Sequence, residues 1–316
     1  LVPTKDRPEK IFNLLDSITK QTILCGRIII VDGGSSVEKI VMDFSDRLPV
    51  EYYTCSPPGQ IRQRNIGISL LDGSTPLVGS IDDDIVMEQH ALEAMIDFWN
   101  RCESETAGVS FNIINLIPMR YTWLNGVMGL GGPVQGQVLR SGCNTPIFSV
   151  ANDLRTQWLC GGATVWKQEI LKKFINVERY AHWAIAEDLI FSYPIGKHYP
   201  LYVCAAAKVR HEHVFDHNIK MKYKYYGRTE TLWRFYFVES NKELSRTVYL
   251  WSQFTTIIAR LIMGISLFQI RHIQFAIGQI EGVILGVTAL FRRRSLSSLL
   301  NEPVQISEKP AKDKAC

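Results

Sequence analysis

The stretch Leu77-Val78-Gly79-Ser80-Ile81-Asp82-Asp83-Asp84 decides the reading of this chain, because an apolar run of strand length stops abruptly at three acidic residues. Short apolar runs bounded by polar clusters are strand signals, so the pattern predicts a strand over 76–81 with its acids at the carboxyl end. Working outward, Arg27-Ile28-Ile29-Ile30-Val31 is a second such run, and it ends in Asp32-Gly33-Gly34-Ser35. Ile11, Leu14, Leu15 and Ile18 recur at helical spacing and predict a helix over 9–22, with further helices over 60–71 and 88–102. Strands alternating with amphipathic helices mark an α/β fold on a mostly parallel sheet, where ligands sit beyond the carboxyl ends of the strands. Both acidic turns fall at such ends. Downstream, the pattern predicts a strand over 107–118 and an irregular, glycine-rich excursion or lid over 121–152. A Gly-Gly turn entering a helix is expected within 158–174, and another helix over 186–195.

Composition narrows the class. The chain has 316 residues, 46% hydrophobic and 21% charged, which excludes disordered and fibrous classes. With 35 Lys+Arg against 31 Asp+Glu, the formal charge of +4 is too near balance to indicate a nucleic-acid binder. The seven cysteines are scattered, with no C-x-x-C pair and no zinc-like spacing, and read as reduced thiols of a cytoplasmic protein. Leu1 to Lys5 passes straight into a turn without the apolar segment that export needs.

From about residue 246 the character changes. The runs 247–259, 261–270, 273–280 and 282–291 are uncharged and are separated only by Arg260, Arg271-His272 and Glu281. None reaches the roughly 18 apolar residues of a plain transmembrane helix. Amphipathic helices lying in a membrane interface are expected, with Trp251 and Arg292-Arg293-Arg294 as headgroup contacts. Two alternatives stay open: helices covering a soluble core, and a tilted spanning hairpin that would bury Arg260 and Glu281. The organisation expected is therefore an α/β domain over 1–245, amphipathic, membrane-associated helices over 246–295 and a disordered tail over 296–316.

The carboxylates carry the chemistry. In extended chain alternate side chains share a face, so Asp82 and Asp84 are expected to converge while Asp83 points away. Paired carboxylates suit a hard cation, Mg²⁺ or Mn²⁺, which binds through one or two such groups plus substrate phosphates. A metal-bound diphosphate is the implied ligand. His211-Glu212-His213 follows a strand-like run over 201–205, which puts both histidines on one face. Residues 220–237 interleave basic and aromatic side chains, a pattern suited either to single-stranded nucleic acid or to an amphipathic helix closing over a donor. The near-neutral net charge favours the helix.

Pro3-Thr4-Lys5-Asp6-Arg7-Pro8, Ile29-Ile30-Val31-Asp32-Gly33-Gly34-Ser35, Arg64-Asn65-Ile66-Gly67, Asp82-Asp83-Asp84, Gly161-Gly162 and Glu187-Asp188 occur in one order and spacing. In these motifs the first two-thirds of the chain resembles family 2 glycosyltransferases of the GT-A fold. The resemblance implies a Rossmann-like, mostly parallel sheet flanked by helices. It also implies transfer of a sugar, with inversion, from a nucleotide diphosphate donor (a UDP-sugar favoured) to an acceptor hydroxyl, with Mn²⁺ or Mg²⁺ as cofactor. It assigns Thr4 and Asp32 to the nucleoside pocket, Arg7 and Asp83 to donor binding, and Asp82, Asp84 and His211 to the metal. Arg64 would contact the pyrophosphate or hold Asp82, and Arg228 would face phosphate. Asp188 becomes the base beside Glu187, while Trp158, Gly161 and Gly162 line the acceptor side. Many relatives carry a second acidic residue where this chain has Gly33. The expected acceptor is a lipid-linked or growing cell-surface polysaccharide, reached from the cytoplasmic face of the membrane. Two other readings are a metal-dependent nucleotidyltransferase, which would show a lysine-bearing glycine loop not seen here, and a non-catalytic nucleotide- or glycan-binding relative. Intact Asp82, Asp84 and Asp188 speak against the second.

Overall fold

A computed structural model describes residues 1–118, 121–175, 178, 186–212 and 223–301. Strand β1 (Val2–Thr4) leads into helix α1 (Pro8–Thr19), whose first turn is set by Pro8 and whose Ile11, Leu14, Leu15 and Ile18 face inward as their spacing predicts. Then come β2 (Ile28–Asp32), the short α2 (Glu38–Met42), β3 (Val50–Thr54) and α3 (Gln60–Ser69). β1, β2 and β3 form a parallel sheet in the order β1-β2-β3. β2 is buried at every position, as expected of a strand covered on both faces.

β4 (Leu77–Ile81) lies beside β1, for Leu1 N donates to Gly79 O and Ile81 N donates to Leu1 O. It is followed by β5 (Ile85–Met87), α4 (Ala91–Arg101) and β6 (Gly108–Ile113). α5 (Trp123–Val127), β7 (Leu154–Thr156), β8 (Ala163–Lys167), α6 (Gln168–Lys173), α7 (Glu187–Gly196) and β9 (Leu201–His211) complete this half. The second sheet runs β4-β8-β6-β9-β5, with β7 on β9. β8, β7 and β5 run against their neighbours, while β6 and β9 are parallel. The strand β8 was not foreseen: the Gly-Gly turn enters this strand first, and the helix expected there is only its short successor α6. Thr164, Val165 and Trp166 are β-formers, which is the local reason.

Residues 121–152 are irregular as expected, apart from α5 and one isolated bridge, but they are tied down. Ser245 N donates to Arg140 O, Arg234 Nη1 donates to Gly142 O at 2.7 Å, and Trp251 Nε1 donates to Val127 O at 2.9 Å. This segment is a connector between the sheet and the C-terminal helices and not a detached lid. Those helices are α8 (Tyr223–Glu239), α9 (Arg246–Ser266), α10 (Ile270–Phe291) and α11 (Leu296–Asn301). The four uncharged runs fuse into two continuous helices of 21 and 22 residues, each long and apolar enough to cross a membrane. The single charges do not interrupt them, since Arg and Glu are good helix formers; Arg260 lies over the Phe275 ring and Glu281 pairs with Lys224. The helical layer also reaches back to residue 223, since α8 packs along α10. The first residues of the expected tail form α11, with Leu296 and Leu300 buried; 302–316 lie outside the described residues. The six described cysteines are free thiols.

Candidate active site

The three acids after β4 do not continue the strand. Ile85 N donates to Asp82 O, closing a turn with Asp83 and Asp84 at its corner. The alternation argued from an extended chain therefore fails, and each carboxylate takes its own direction. Asp82 Oδ1 accepts from Arg64 Nη2 at 2.8 Å and from Gln60 Nε2 at 3.2 Å, both on α3. Asp83 accepts from Thr4 Oγ1 at 2.8 Å and from Arg7 Nη1 at 2.8 Å. Asp84 lies 3.4 Å from the same Arg7 nitrogen and 3.1 Å from Nε2 of His211, at the end of β9. Asp83 and Asp84 are buried, and burial raises the Asp83 carboxyl above its usual range against the pull of Arg7. The hydrogen bond to Asp84 raises the His211 imidazole and favours its charged form. His213 lies outside the described residues.

On the other side, Glu187 and Asp188 open α7. The residue before them, Ala186, has φ 61°, a left-handed conformation costing a non-glycine residue on the order of 1 kcal/mol. Arg64, itself buried, joins the two sides: Nη1 donates to Glu187 Oε1 at 2.7 Å while Nη2 holds Asp82. Burial pushes the Glu187 carboxyl up to about 7 despite Arg64. The Asp188 carboxyl is also raised by burial, with Arg64 and backbone hydrogen bonding at Gly161 opposing. Among the described residues, Glu187 Oε2 has no hydrogen-bond partner although it is buried. Behind the pair lies a cavity of about 30 Å³, walled by Ile68, Leu159, Trp166 and Phe191.

The remaining expected residues fall into place or out of it. Thr4 also accepts through its carbonyl, from Gly33 N at 2.9 Å and Gln63 Nε2 at 2.7 Å. Asp32 is 0% exposed, with Oδ1 accepting from Gly34 N at 2.7 Å and Oδ2 from Tyr52 OH at 2.9 Å. It shapes the Gly33–Ser35 turn instead of facing a nucleoside directly, because both oxygens are engaged inside the protein. Trp158, expected to offer a ring to the acceptor, is a core residue packed with Leu189, Tyr193 and Phe237, its Nε1 donating to Thr145 O. Gly161 and Gly162 are needed for close approach, though of the protein's own acids: a Cβ on Gly162 would strike the Asp82 carboxylate, and one on Gly161 would meet Asp188 Cγ at 3.4 Å. Arg228 lies over the Tyr225 ring on α8, and no contact among the described residues joins it to the strand-end acids.

Gln60, Gln63, Tyr52 and Asp6 were missed. Gln63 ties the ends of β1 and β2 by donating to both Thr4 O and Val31 O, and Asp6 Oδ1 accepts from Ser35 N and Ser36 Oγ, each at 3.3 Å. A signal existed for the glutamines. Positions 60, 63, 64 and 67 share one helix face, and that face is polar in a helix next to the sheet.

Whether these residues suit a divalent cation can be tested on the donor set. Asp84 and His211 are in contact and are both ligand types for Mn²⁺, and Asp82 stands at the same turn. Among the described residues no group of three His, Cys, Asp or Glu is gathered as a metal site. The protein thus offers part of a shell, which fits a cation whose other positions belong to phosphate oxygens and water.

A family model described as Glycosyl transferase family 2 matches residues 1–173. Among solved structures, the chain is similar to S. aureus TarS 1–349, with 15% identity, 80% of this chain and 70% of that one covered, and a TM-score of 0.51. It is similar to the mannosyltransferase PcManGT from Pyrobaculum calidifontis in complex with GDP-Man and Mn²⁺, at 12% identity over 89% and 85% of the two chains with a TM-score of 0.54. It is also similar to GalNAc-T7 with UDP, GalNAc and Mn²⁺, at 13% identity and a TM-score of 0.52, covering 79% of this chain and 52%, about half, of that one. At such identities the likeness is one of fold. No curated protein sequence matches the chain.

Proposed function

The chain belongs to glycosyl transferase family 2, and from that premise we propose that it is an inverting, metal-dependent glycosyltransferase. Its donor is a nucleotide diphosphate sugar, with UDP-sugars the first to test. The single observation that carries this reading is Arg64, which holds Asp82 of the acidic turn and Glu187 of the helix start within one buried bracket. Residues 82 and 187 are remote in sequence, and the bracket joins the acidic turn after β4 to the start of α7.

In this reading Asp188 takes the proton of an acceptor hydroxyl, whose oxygen forms the new bond to the anomeric carbon. The bond from that carbon to the diphosphate breaks on the opposite face, and the nucleoside diphosphate leaves. Asp84 and His211, with Asp82 at the same turn, would hold Mn²⁺ or Mg²⁺, which supplies charge neutralisation for the departing diphosphate. Arg7, half-exposed beside Asp83 and Asp84, is a cation placed to meet phosphate. The acceptor is a hydroxyl of a lipid-linked or growing cell-surface polysaccharide, and the enzyme works peripherally on the cytoplasmic face of the membrane. Family membership sets the nucleotidyltransferase reading aside.

The test is Mn²⁺-dependent hydrolysis and transfer with a panel of UDP-, GDP- and dTDP-sugars, repeated with Asp84→Ala and Asp188→Asn. The first variant is expected to lose metal-dependent donor binding, and the second to bind donor without transferring. Wild-type transfer by either would remove that residue from the mechanism.

A further inference from the structure

The bundle α8–α10 has a core on the α8 side, with Trp233, Phe235 and Phe237 buried, but its last two helices distribute their side chains differently. α9 buries Tyr249, Ser252, Gln253 and Gly264, and α10 buries Phe275, Ala276, Gln279 and Ala289 together with Gly278, Gly282 and Gly286. Gln279 Nε2 donates to Gln253 Oε1 at 3.2 Å, so the interior carries hydrogen bonds between amides. Apart from Tyr249 and Phe275, the large apolar side chains of α9 and α10 are half-buried or exposed. Trp251, Phe254, Ile258, Ile262 and Ile265 are exposed along α9 at spacings of three and four, one continuous stripe. Ile270, Ile277, Ile284 and Phe291 repeat every seventh residue along α10, again exposed. At the tip between the helices, Phe268 is 95% exposed. Only 22% and 39% of the most apolar windows of the two helices are buried in the protein. These are therefore not helices that cover a soluble core, and water does not favour leaving such rows uncovered.

A third element joins the surface. α5 buries none of its residues, and Trp123, Leu124 and Val127 are exposed. The hydrogen bond from Trp251 Nε1 to Val127 O fastens α5 to the start of the α9 stripe. Three features identify the covering partner. Small and polar residues inside with large apolar ones outside is the arrangement of helices that face lipid. Trp123 and Trp251 are the residue type enriched at headgroup depth. Arg292, Arg293 and Arg294 are exposed directly after Phe291, with no ion pair among the described residues, and complement an anionic surface. Depth is limited by α8, which runs beside α10 and carries Lys224, Arg228 and Glu230, with Lys224 paired to Glu281 in the middle of α10. Crossing the bilayer would take these charges into hydrocarbon.

We infer that α5 and the α9–α10 hairpin form one docking surface for an anionic lipid bilayer, seated in the interface without crossing it. This deepens the proposed function and rests on it, since α5 belongs to the connector that leads through Gly136 and Thr156 toward Gly161 and Asp188. A hydroxyl displayed on a lipid carrier would then be offered beside the catalytic pair.

The experiment uses the full chain in co-sedimentation with phosphatidylcholine vesicles, with and without phosphatidylglycerol, followed by an alkaline carbonate wash. The chain is expected to pellet with the anionic vesicles and to be released by carbonate. The double variant Ile262→Glu/Ile265→Glu should lower the bound fraction by about tenfold or more, and Trp123→Ser/Val127→Ser several-fold, both with unchanged circular dichroism. Each result below overturns the proposal: wild-type chain left in the supernatant, carbonate-resistant retention, full binding by the α5 variant, or a dimer in sedimentation velocity that Ile262→Glu dissociates in place of vesicle binding. Hydrolysis of nucleotide sugar in the same samples keeps the two readings apart. Hydrolysis without vesicle binding defeats only the docking surface, and vesicle binding without hydrolysis of any donor defeats only the enzyme.

Discussion

The strand-end cleft and the C-terminal bundle solve opposite burial problems. Around the cleft the chain takes charge inside: Arg64, Asp83 and Asp84 are buried, and each is met by a partner of opposite sign or by hydrogen bonds. In α9 and α10 it takes mostly small and amide side chains inside, with Tyr249 and Phe275 the large exceptions, and leaves rows of isoleucine outside. Buried charge is costly unless paired, so a site of this kind persists where it serves chemistry. Exposed apolar rows are costly in water, so a surface of this kind persists where something other than water covers it. Burial alone does not separate structure from function here. The departures from ordinary burial do.

The largest expected effect lies in the cleft. Asp188→Asn should lower sugar transfer by about 10²–10⁴-fold while leaving vesicle binding untouched, measured on one preparation. Loss of both together would break the separation between the two regions. Arg64→Met comes next. It leaves the half-buried Asp82 and Glu187 without their cation and should cost about 3 kcal/mol in urea unfolding. Arg64→Lys should recover little of that, because an ammonium does not reproduce the fork that reaches both carboxylates.

A smaller cost is expected in the bundle interior. A Cβ at Gly278 would meet the Lys224 carbonyl, so Gly278→Val should destabilise by roughly 1–3 kcal/mol in thermal unfolding. An unchanged midpoint would contradict the close packing of α8 on α10. A pH effect follows from Glu187, whose carboxyl holds its proton up to about 7 in the folded chain. In the unfolded chain it ionises near ~4.3, so its stabilisation is complete below that value and is lost as pH rises through about 7. Glu187→Gln, which cannot ionise, should flatten that part of the thermal midpoint against pH. The smallest effect belongs to the exposed tip: Phe268→Ser should change unfolding free energy by less than about 0.5 kcal/mol, which would confirm that this side chain contributes nothing to the folded core.

How much of this was legible in the chain differs by element. The helix over Pro8–Thr19 and the strands over Ile28–Asp32 and Leu77–Ile81 follow from periodicity and from short apolar runs that stop at polar turns. The pair at 187–188 was singled out by the family resemblance, whereas the three acids at 82–84 were legible as candidates because strand ends are where an α/β sheet collects its ligands. The orientation of the three aspartates was not, since it depends on whether the backbone turns at Asp82, and a local run of acids does not say. Nor was the place of Arg260, which lies over the ring of Phe275 in the next helix.

Local sequence by itself determined the helix over Pro8–Thr19, the strands over Ile28–Asp32 and Leu77–Ile81 and which residue types stand at the turns, because these follow from spacing and backbone preference within a few residues. The tertiary structure alone decided that Arg64 brackets acids from two remote turns, that Trp158 is core, that Asp32 is sealed inside, and that the apolar rows of the last helices face outward. Each of these is a contact between segments far apart in the chain, and the energy of such a contact depends on what arrives on the other side, which no single stretch of residues records.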